Sequence, residues 1–304
     1  MRWHIQGLGS LGCLWAARFA AAQQPVRLIL RNPAALARYQ KIGRVRLSDA
    51  NQQHTQSYPI SAQLPTHHEP ISRLLLACKA YDATAAISQV AHRLDQDSLV
   101  VLLQNGLGSQ QAVQALIPNT RCIVASSTEG AYLTEPFHSV FAGQGEIWLG
   151  SLERHPEPEG LINNCRDAQI PCTWTATIET TLWRKLAINC LINPLTVIHD
   201  CSNGALIAHA DLINTLCTEL HALLIAAQHP AAAEDLQQQV WQVINKTASN
   251  SSSIRQDVHN KRRTEINYIT GFACAQSIAL ECRTPALHAL HAQLQKALSM
   301  RGLP

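Results

Sequence analysis

A lysine and two asparagines recur at helical spacing within an otherwise apolar segment. In residues 182–195, Lys185, Asn189 and Asn193 occupy positions i, i+4 and i+8. At about 100° per residue, they share one narrow face of a helix. A buried amine needs hydrogen-bond partners or a wet cavity, and such a lysine could protonate a carbonyl oxygen as an alkoxide forms. The alternative is a solvent-facing stripe, which would normally be wider and more charged.

A second candidate site is a glycine-rich turn near the start of the chain. Gly7-Leu8-Gly9-Ser10-Leu11-Gly12 matches the pattern G-x-G-x-x-G, follows a predicted strand and opens a predicted helix. In that context the first glycine permits a tight turn, the second admits a pyrophosphate, and the third lets the helix pack on the strand. The amides at the helix start would face the phosphates. The alternative is a flexible turn without a ligand.

The charge around this turn indicates which dinucleotide it binds. No Asp or Glu precedes Asp49, whereas sites that prefer NAD place an acid about 20 residues after the glycines. Arg31 instead ends the second predicted strand, and a guanidinium suits a 2′-phosphate. The sequence therefore predicts NADP(H), with a solvated strand end as the alternative for Arg31.

The elements that must position these residues follow two patterns. Apolar strands alternate with helices in the first half, which predicts a doubly wound parallel sheet, and from Glu179 onward only helical periodicity is found. We expect an α/β domain over 1–176 and an all-α domain over 177–304, with a cleft between them. The predicted strands are 2–6, 26–31, 73–78, 98–104 and 121–126, with shorter antiparallel strands in 44–60 and 138–150. The predicted helices are 10–22, 82–94, 109–116, 179–198, 204–228, 232–250, 252–281 and 284–299.

Composition excludes several classes of protein. Of the 304 residues, 46% are apolar and 15% charged, which excludes disorder, and a net charge of +3 gives no reason to expect a nucleic-acid partner. The sequence contains no run of 18 apolar residues, so we predict no membrane-spanning helix. The ten cysteines form no C-x-x-C pair, so we expect no zinc site and a cytoplasmic location with reduced thiols. A small molecule is the expected partner.

Other polar residues stand where a site would need them. Lys79 and Asn105 follow predicted strands, at the binding edge of an open α/β sheet. The serines of 249–253 could cap a helix, and Glu265 could belong to a structural ion pair.

Six segments of the chain are informative when taken together: Gly7–Gly12, Leu30-Arg31, Cys78-Lys79-Ala80, Gln104–Gly108, Leu182–Thr196 and Arg263–Tyr268. Together they resemble the ketopantoate reductase (2-dehydropantoate 2-reductase) family. The resemblance runs essentially end to end, and 183–195 is its most specific part. It implies a Rossmann NADP-binding domain and a helical domain of the 6-phosphogluconate dehydrogenase type. It also implies NADPH-dependent reduction of 2-dehydropantoate to (R)-pantoate, toward pantothenate and coenzyme A, by a monomer or homodimer.

The same resemblance implies roles for individual residues. Lys185 would be the proton donor, and Glu265 would contact the cofactor close enough to influence catalysis. The implied cofactor contacts are Gly7, Leu8, Gly9, Ser10, Leu11, Gly12, Arg31, Lys79, Asn105, Ala131 and Glu265, and the implied substrate contacts are Asn105, Lys185, Asn189, Asn193, Asn203 and Ser253. Ser253 is chosen from Ser251-Ser252-Ser253 by counting back from Glu265, and Asn203 could equally serve a turn.

Two other functions remain open at this point. One is reduction of a different 2-oxo acid or of an imine on the same scaffold, and the other is NADP sensing without catalysis. A substrate panel would distinguish the first. Tight cofactor binding without turnover would indicate the second.

Overall fold

The computed structural model describes residues 2–304, which form two compact units. The first contains 2–104 and Ser109–Ile178, and the second contains Asn105–Gly108 and Glu179–Pro304. The main division therefore falls two residues after the expected boundary at residue 176. Sequence order alone does not reveal that the short loop Asn105–Gly108 packs with the second unit.

An eight-stranded sheet forms the centre of the first unit, in the order β12-β11-β8-β7-β6-β1-β2-β5. Strands β5, β2, β1, β6, β7 and β8 are parallel, and β11 is antiparallel to β8, so the predicted doubly wound sheet is confirmed. The strands are β1 (Trp3–Gln6), β2 (Val26–Ile29), β3 (Val45–Ser48), β4 (Thr55–Tyr58), β5 (Ser61–Gln63), β6 (Arg73–Leu76), β7 (Leu99–Leu102), β8 (Arg121–Ser127), β9 (Gly130–Glu135), β10 (His138–Gly143), β11 (Ile147–Gly150) and β12 (Cys172–Trp174). The helices are α1 (Ser10–Ala21), α2 (Pro33–Ile42), α3 (Ala83–Val90), α4 (Ser109–Leu116) and α5 (Leu161–Asp167).

A smaller sheet of four strands, in the order β4-β3-β10-β9, packs on α1. The short antiparallel strands predicted within 44–60 are β3 and β4. The strands predicted within 138–150 separate, because β10 pairs with β9 and β3 whereas β11 joins the large sheet. Sequence periodicity does not specify which sheet a short strand joins.

Helix α1 is the centre of the apolar core in this unit. Trp3 of β1 stacks on Phe19 of α1 with ring centroids 4.8 Å apart, and Trp15 meets the same ring edge-on. Burial raises the pKa of the Cys13 and Cys122 thiols to about 12, so these cysteines behave as small apolar residues.

Strand β2 ends at Ile29, two residues earlier than predicted, so Arg31 does not lie in the strand. The chain turns because the Asn32 side chain accepts a hydrogen bond of 2.8 Å from the Ala35 amide and thereby caps α2. Pro33 then occupies the first turn of α2, where its missing amide costs no hydrogen bond. Arg31 therefore lies in the exposed turn between β2 and α2.

The second unit contains only helices and turns among its described residues. Its helices are α6 (Ile178–Ile198), α7 (Ala210–Ala226), α8 (Pro230–Ala233), α9 (Leu236–Lys246), α10 (Ser253–His259), α11 (Thr270–Ala279) and α12 (Pro285–Ser299). The single helix predicted over 252–281 is wrong: α10 ends before Lys261, whose φ of 53° is left-handed, and α11 starts at Thr270. The predicted helix 204–228 begins as a 3-10 turn, Asn203–His209. No helix within residues 2–304 is long and apolar enough to cross a membrane.

A buried ion pair joins α1 to the segment that leads into β9. Both carboxylate oxygens of Glu129 accept hydrogen bonds from Arg18, at 2.8 and 3.0 Å, and the guanidinium lies 4.8 Å from the centre of the Phe141 ring. The Glu129 side chain is fully buried. Burial raises the pKa of Glu129, and Arg18 opposes that shift.

We predict that Arg18→Met lowers the free energy of unfolding by about 3–5 kcal/mol, because it leaves a buried carboxylate without its cation. Urea unfolding followed by circular dichroism measures this change. The double variant Arg18→Met/Glu129→Met is the control and should regain most of the loss. A single variant within about 1 kcal/mol of the parent protein would contradict this account.

Candidate active site

The glycine turn of the first unit is shaped by two close backbone approaches and one open position. A Cβ on Gly7, where φ is +97°, would overlap the backbone nitrogen of Cys78, and a Cβ on Gly12 would overlap the carbonyl oxygen of Gly7. A Cβ on Gly9 would meet no atom within 4 Å. Packing therefore requires the first and third glycines, and the second leaves space at the start of α1, where a pyrophosphate would approach.

The start of α1 also has the electrostatics that a phosphate needs. The first turn contains no acidic residue, and Gly9 at the N-cap offers no side chain to cap it. The first amides of an α-helix lack partners within the helix and carry partial positive charge. The turn and helix therefore fit a dinucleotide phosphate.

Three more predicted cofactor residues lie near this turn or on adjacent strands. Arg31 follows β2 and Lys79 follows β6, and both strands pair in parallel with β1. Both residues therefore lie at the same carboxyl edge of the sheet as Gly7, which follows β1. Arg31 is exposed and has no hydrogen-bond or ion-pair partner within residues 2–304. Ala131 lies on β9, whose neighbour β10 is tied to α1 by a hydrogen bond of 3.0 Å from Ser139 to the Ser10 carbonyl.

Helix α6 in the second unit carries the lysine and asparagine stripe. Every residue from Ile178 to Ile198 is buried or partly buried. No residue of this helix is fully exposed, so the stripe is not an open solvent-facing surface. Asn193 is buried and needs a partner within the protein or in a ligand, whereas Lys185 and Asn189 are partly buried.

Lys185 is bonded to Asn105, as Nζ donates a hydrogen bond of 3.0 Å to Oδ1. Burial lowers the pKa of Lys185 from its usual 10.5 to about 8, and the Glu265 carboxylate opposes that shift. Glu265 is itself buried. An ammonium group whose pKa is near neutrality can give up its proton and recover it, as a general acid must.

The loop 105–108 holds Asn105 in place. Gly106 has a φ of +76°, and a Cβ there would overlap the carbonyl oxygen of Tyr268. The Leu107 amide donates a hydrogen bond of 2.9 Å to that same oxygen. The segment that follows Glu265 therefore anchors the residue that binds the lysine.

A buried pair of hydroxyl groups joins α6 to α10. Thr196 Oγ1 lies 2.7 Å from Ser252 Oγ, and Ser252 also accepts a hydrogen bond from the Arg255 amide as the N-cap of α10. The predicted helix-capping role of a serine therefore belongs to Ser252. Ser253 is exposed at the first position of α10.

Two of the predicted substrate residues hold buried polar atoms without partners in residues 2–304. Nδ2 of Asn193 is an unsatisfied donor, and Oδ1 of Asn203 is an unsatisfied acceptor. The other end of the Asn203 amide donates a hydrogen bond of 2.8 Å to Thr247. A polar ligand could satisfy both groups.

The structure brings Lys185, Asn105 and Glu265 together, whereas Asn203 is held by a separate segment. Thr196, Thr247 and Tyr268 also organise the site, and sequence reasoning assigned them no role. Each is an ordinary residue type in a helix or turn, so a single sequence gives no signal for it.

Comparison with known proteins matches both halves of the chain to one family. The family model described as "Ketopantoate reductase PanE/ApbA" matches residues 3–154, and the model for the C-terminal part of that family matches 177–297. The 2-dehydropantoate 2-reductase of Vibrio cholerae is 31% identical over 294 residues, 96% of each chain. That of Escherichia coli O157:H7 is 30% identical over 273 residues, 90% of this chain and 87% of the relative.

Solved structures share the fold at lower identity. A ketopantoate reductase from Ralstonia eutropha aligns with a TM-score of 0.89 at 23% identity, over 99% of this chain and 100% of the other. D-mandelate dehydrogenase in complex with NADH aligns with a TM-score of 0.84 at 19% identity, over 98% and 99% of the two chains.

The fold and the family matches define an oxidoreductase with a Rossmann-type sheet and a helical C-terminal unit. More narrowly, the chain belongs to the ketopantoate reductase family.

We predict that Lys185 titrates near pH 8 and that Glu265→Gln lowers this pKa further, because the carboxylate stabilises the charged amine. Reductive methylation with labelled formaldehyde followed by NMR titration measures both values. Lys185→Arg removes this amine and is the control that assigns its signal. A Lys185 pKa that stays the same or rises in Glu265→Gln would contradict the assignment.

Proposed function

We propose that this protein reduces 2-dehydropantoate to (R)-pantoate with NADPH, with Lys185 as the proton donor, in the cytoplasmic synthesis of pantothenate and coenzyme A. The observation that carries the proposal is the environment of the Lys185 amine. Lys185 lies on α6, which has no fully exposed residue, its Nζ donates a hydrogen bond to Asn105, and its pKa is about 8. Two relatives at 30% identity or more bear the name of this reaction.

The cofactor assignment is supported by the fit of the first unit. The residues of that unit that would hold the dinucleotide are the glycine turn, Arg31, Lys79 and Ala131. Asn105 and Glu265 of the second unit are further proposed contacts. When bound, the reduced nicotinamide supplies the hydride that carbon 2 of the 2-oxo acid receives. Arg31 would determine the preference for NADPH over NADH, because its guanidinium is exposed and has no protein partner that would compete with a 2′-phosphate.

The chain's own contribution to the chemistry is the handling of one proton. Lys185 Nζ donates a hydrogen bond to the ketone oxygen and transfers its proton as negative charge develops there. Asn105 aims the amine through its bond to Oδ1. Glu265 favours the protonated form of Lys185, which is the form that the reduction consumes.

The asparagines and a serine hold the rest of the substrate. Asn193 offers a buried donor, which suits a carboxylate or carbonyl oxygen, and Asn203 offers a buried acceptor. Asn189 and Ser253 complete the proposed set without adding charge. Neutral groups of this kind orient an anion while leaving the lysine as the nearby acid.

A second candidate is a reductase for another 2-oxo acid. The observation in its favour is the shared fold with D-mandelate dehydrogenase, whose name gives a different hydroxy acid as its substrate. An assay of NADPH oxidation with a panel of 2-oxo acids decides between the two. The proposed function requires the highest kcat/KM for 2-dehydropantoate, and a higher value for an aromatic 2-oxo acid would favour the second candidate.

We expect Lys185→Ala to lower kcat by about 10²–10⁴-fold with the fold intact, which is typical for the loss of a general acid. Steady-state NADPH oxidation measures the change, and circular dichroism checks the fold. Lys246→Ala, on the exposed face of α9, is the matched control and should leave kcat unchanged. Near-normal turnover in Lys185→Ala would exclude the proton-donor role.

We expect Arg31→Ala to weaken NADPH binding by about 10–100-fold and NADH binding by much less, because only NADPH carries the 2′-phosphate. Fluorescence titration of each reduced cofactor gives the two dissociation constants. Arg166→Ala removes another exposed arginine of the same unit and is the control. An equal loss for both cofactors would rule out a 2′-phosphate contact.

A further inference from the structure

Asn203 is fixed in the fold from two directions. Its backbone amide donates a hydrogen bond of 3.0 Å to the Asn250 carbonyl, and its side-chain Nδ2 donates one of 2.8 Å to Thr247 Oγ1. Only 7% of the residue is exposed. The amide group therefore cannot turn without breaking its hydrogen bond to Thr247.

Thr247 determines which end of that amide faces it. The hydroxyl of Thr247, the residue that follows α9, donates its only proton to the Val243 carbonyl of that helix, at 2.6 Å. Its oxygen can then only accept a hydrogen bond from Asn203. The nitrogen of the amide must therefore lie toward Thr247, and Oδ1 must point the other way.

Oδ1, the end of the Asn203 amide that points away from Thr247, is thus a buried acceptor without a partner within residues 2–304. A carboxylate and a ketone oxygen are also acceptors, so neither can satisfy Oδ1. A hydroxyl group can. Asn193 shows the opposite polarity, since its buried Nδ2 lacks an acceptor.

We propose that Thr247 is a positioning residue that fixes the polarity of the Asn203 amide and thereby selects a 2-oxo acid that carries a hydroxyl donor. This inference rests on the proposed function, because it concerns the substrate of the same site. Without the threonine hydroxyl, the amide could turn by 180° and present either end, and the preference for the hydroxylated substrate would weaken.

Two substrates that differ by one oxygen atom test the proposal. One is 2-dehydropantoate, which is 4-hydroxy-3,3-dimethyl-2-oxobutanoate, and the other is 3,3-dimethyl-2-oxobutanoate, which lacks the 4-hydroxyl group. The ratio of their kcat/KM values, measured with NADPH, reports the selection for the hydroxyl group. We expect Thr247→Val to lower that ratio by about tenfold or more, mainly through a higher KM for 2-dehydropantoate.

Three variants separate positioning from a general structural effect. Thr247→Ser keeps the hydroxyl group and should retain the ratio. Thr218→Val removes a hydroxyl that bonds to the Asn214 carbonyl in the same way on α7 and should change nothing. Thr247→Ala takes the place of Thr247→Val if the latter does not fold.

The outcomes distinguish the inference from the function on which it rests. An unchanged ratio in Thr247→Val, with an active parent protein, overturns the role of Thr247 and leaves the proposed function standing. A lowered ratio in Thr247→Ser as well would assign the effect to packing rather than to the hydroxyl, and would also overturn it. A parent protein that reduces neither substrate would refute the proposed function and the inference together.

Discussion

The constraint on which the second unit depends is the burial of one charged amine. Lys185 lies on a helix without a single exposed residue, and removing its ammonium group from water disfavours the charge. Two groups oppose that cost: the hydrogen bond to Asn105 and the carboxylate of Glu265. Both come from irregular segments that the helices hold in place. These two groups therefore offset part of the cost of keeping one buried lysine charged.

The first unit follows a different constraint, which is close backbone packing at the start of α1. Gly7 and Gly12 allow the turn, the helix and the segment after β6 to approach one another where no side chain would fit. That packing leaves the first amides of α1 at the carboxyl edge of the sheet, with open space at Gly9. Arg31 and Lys79 leave the same edge because their strands flank β1. The steric demand and the proposed anion site are thus two aspects of one turn.

Sequence reasoning predicted the parts of this protein that depend on periodicity and on local motifs. The parallel sheet, the helical second half and the glycine turn all follow from patterns within a few residues. The buried character of α6 could likewise be read from its composition. The prediction failed at the ends of elements: β2 ends before Arg31 because the nearby Asn32 caps α2, and the helix expected over 252–281 breaks around Glu265.

The candidate site shows the same division. The identities of Lys185, Asn189 and Asn193 stood out because their spacing places them on one face of a helix. Thr247 and Tyr268 did not, because their importance lies in which atom they contact across the fold. The polarity of the Asn203 amide depends on a hydroxyl proton donated to Val243, and a sequence pattern carries no record of that bond.

The most direct test of the central claim is the pH dependence of kcat for NADPH-dependent reduction of 2-dehydropantoate. If the Lys185 ammonium group is the acid, kcat should be constant at low pH and fall above a pKa of about 8, and Glu265→Gln should move that break to lower pH. An ordinary lysine has a pKa of about 10.4. A kcat that stays constant from pH 7 to about pH 10 would therefore contradict the account.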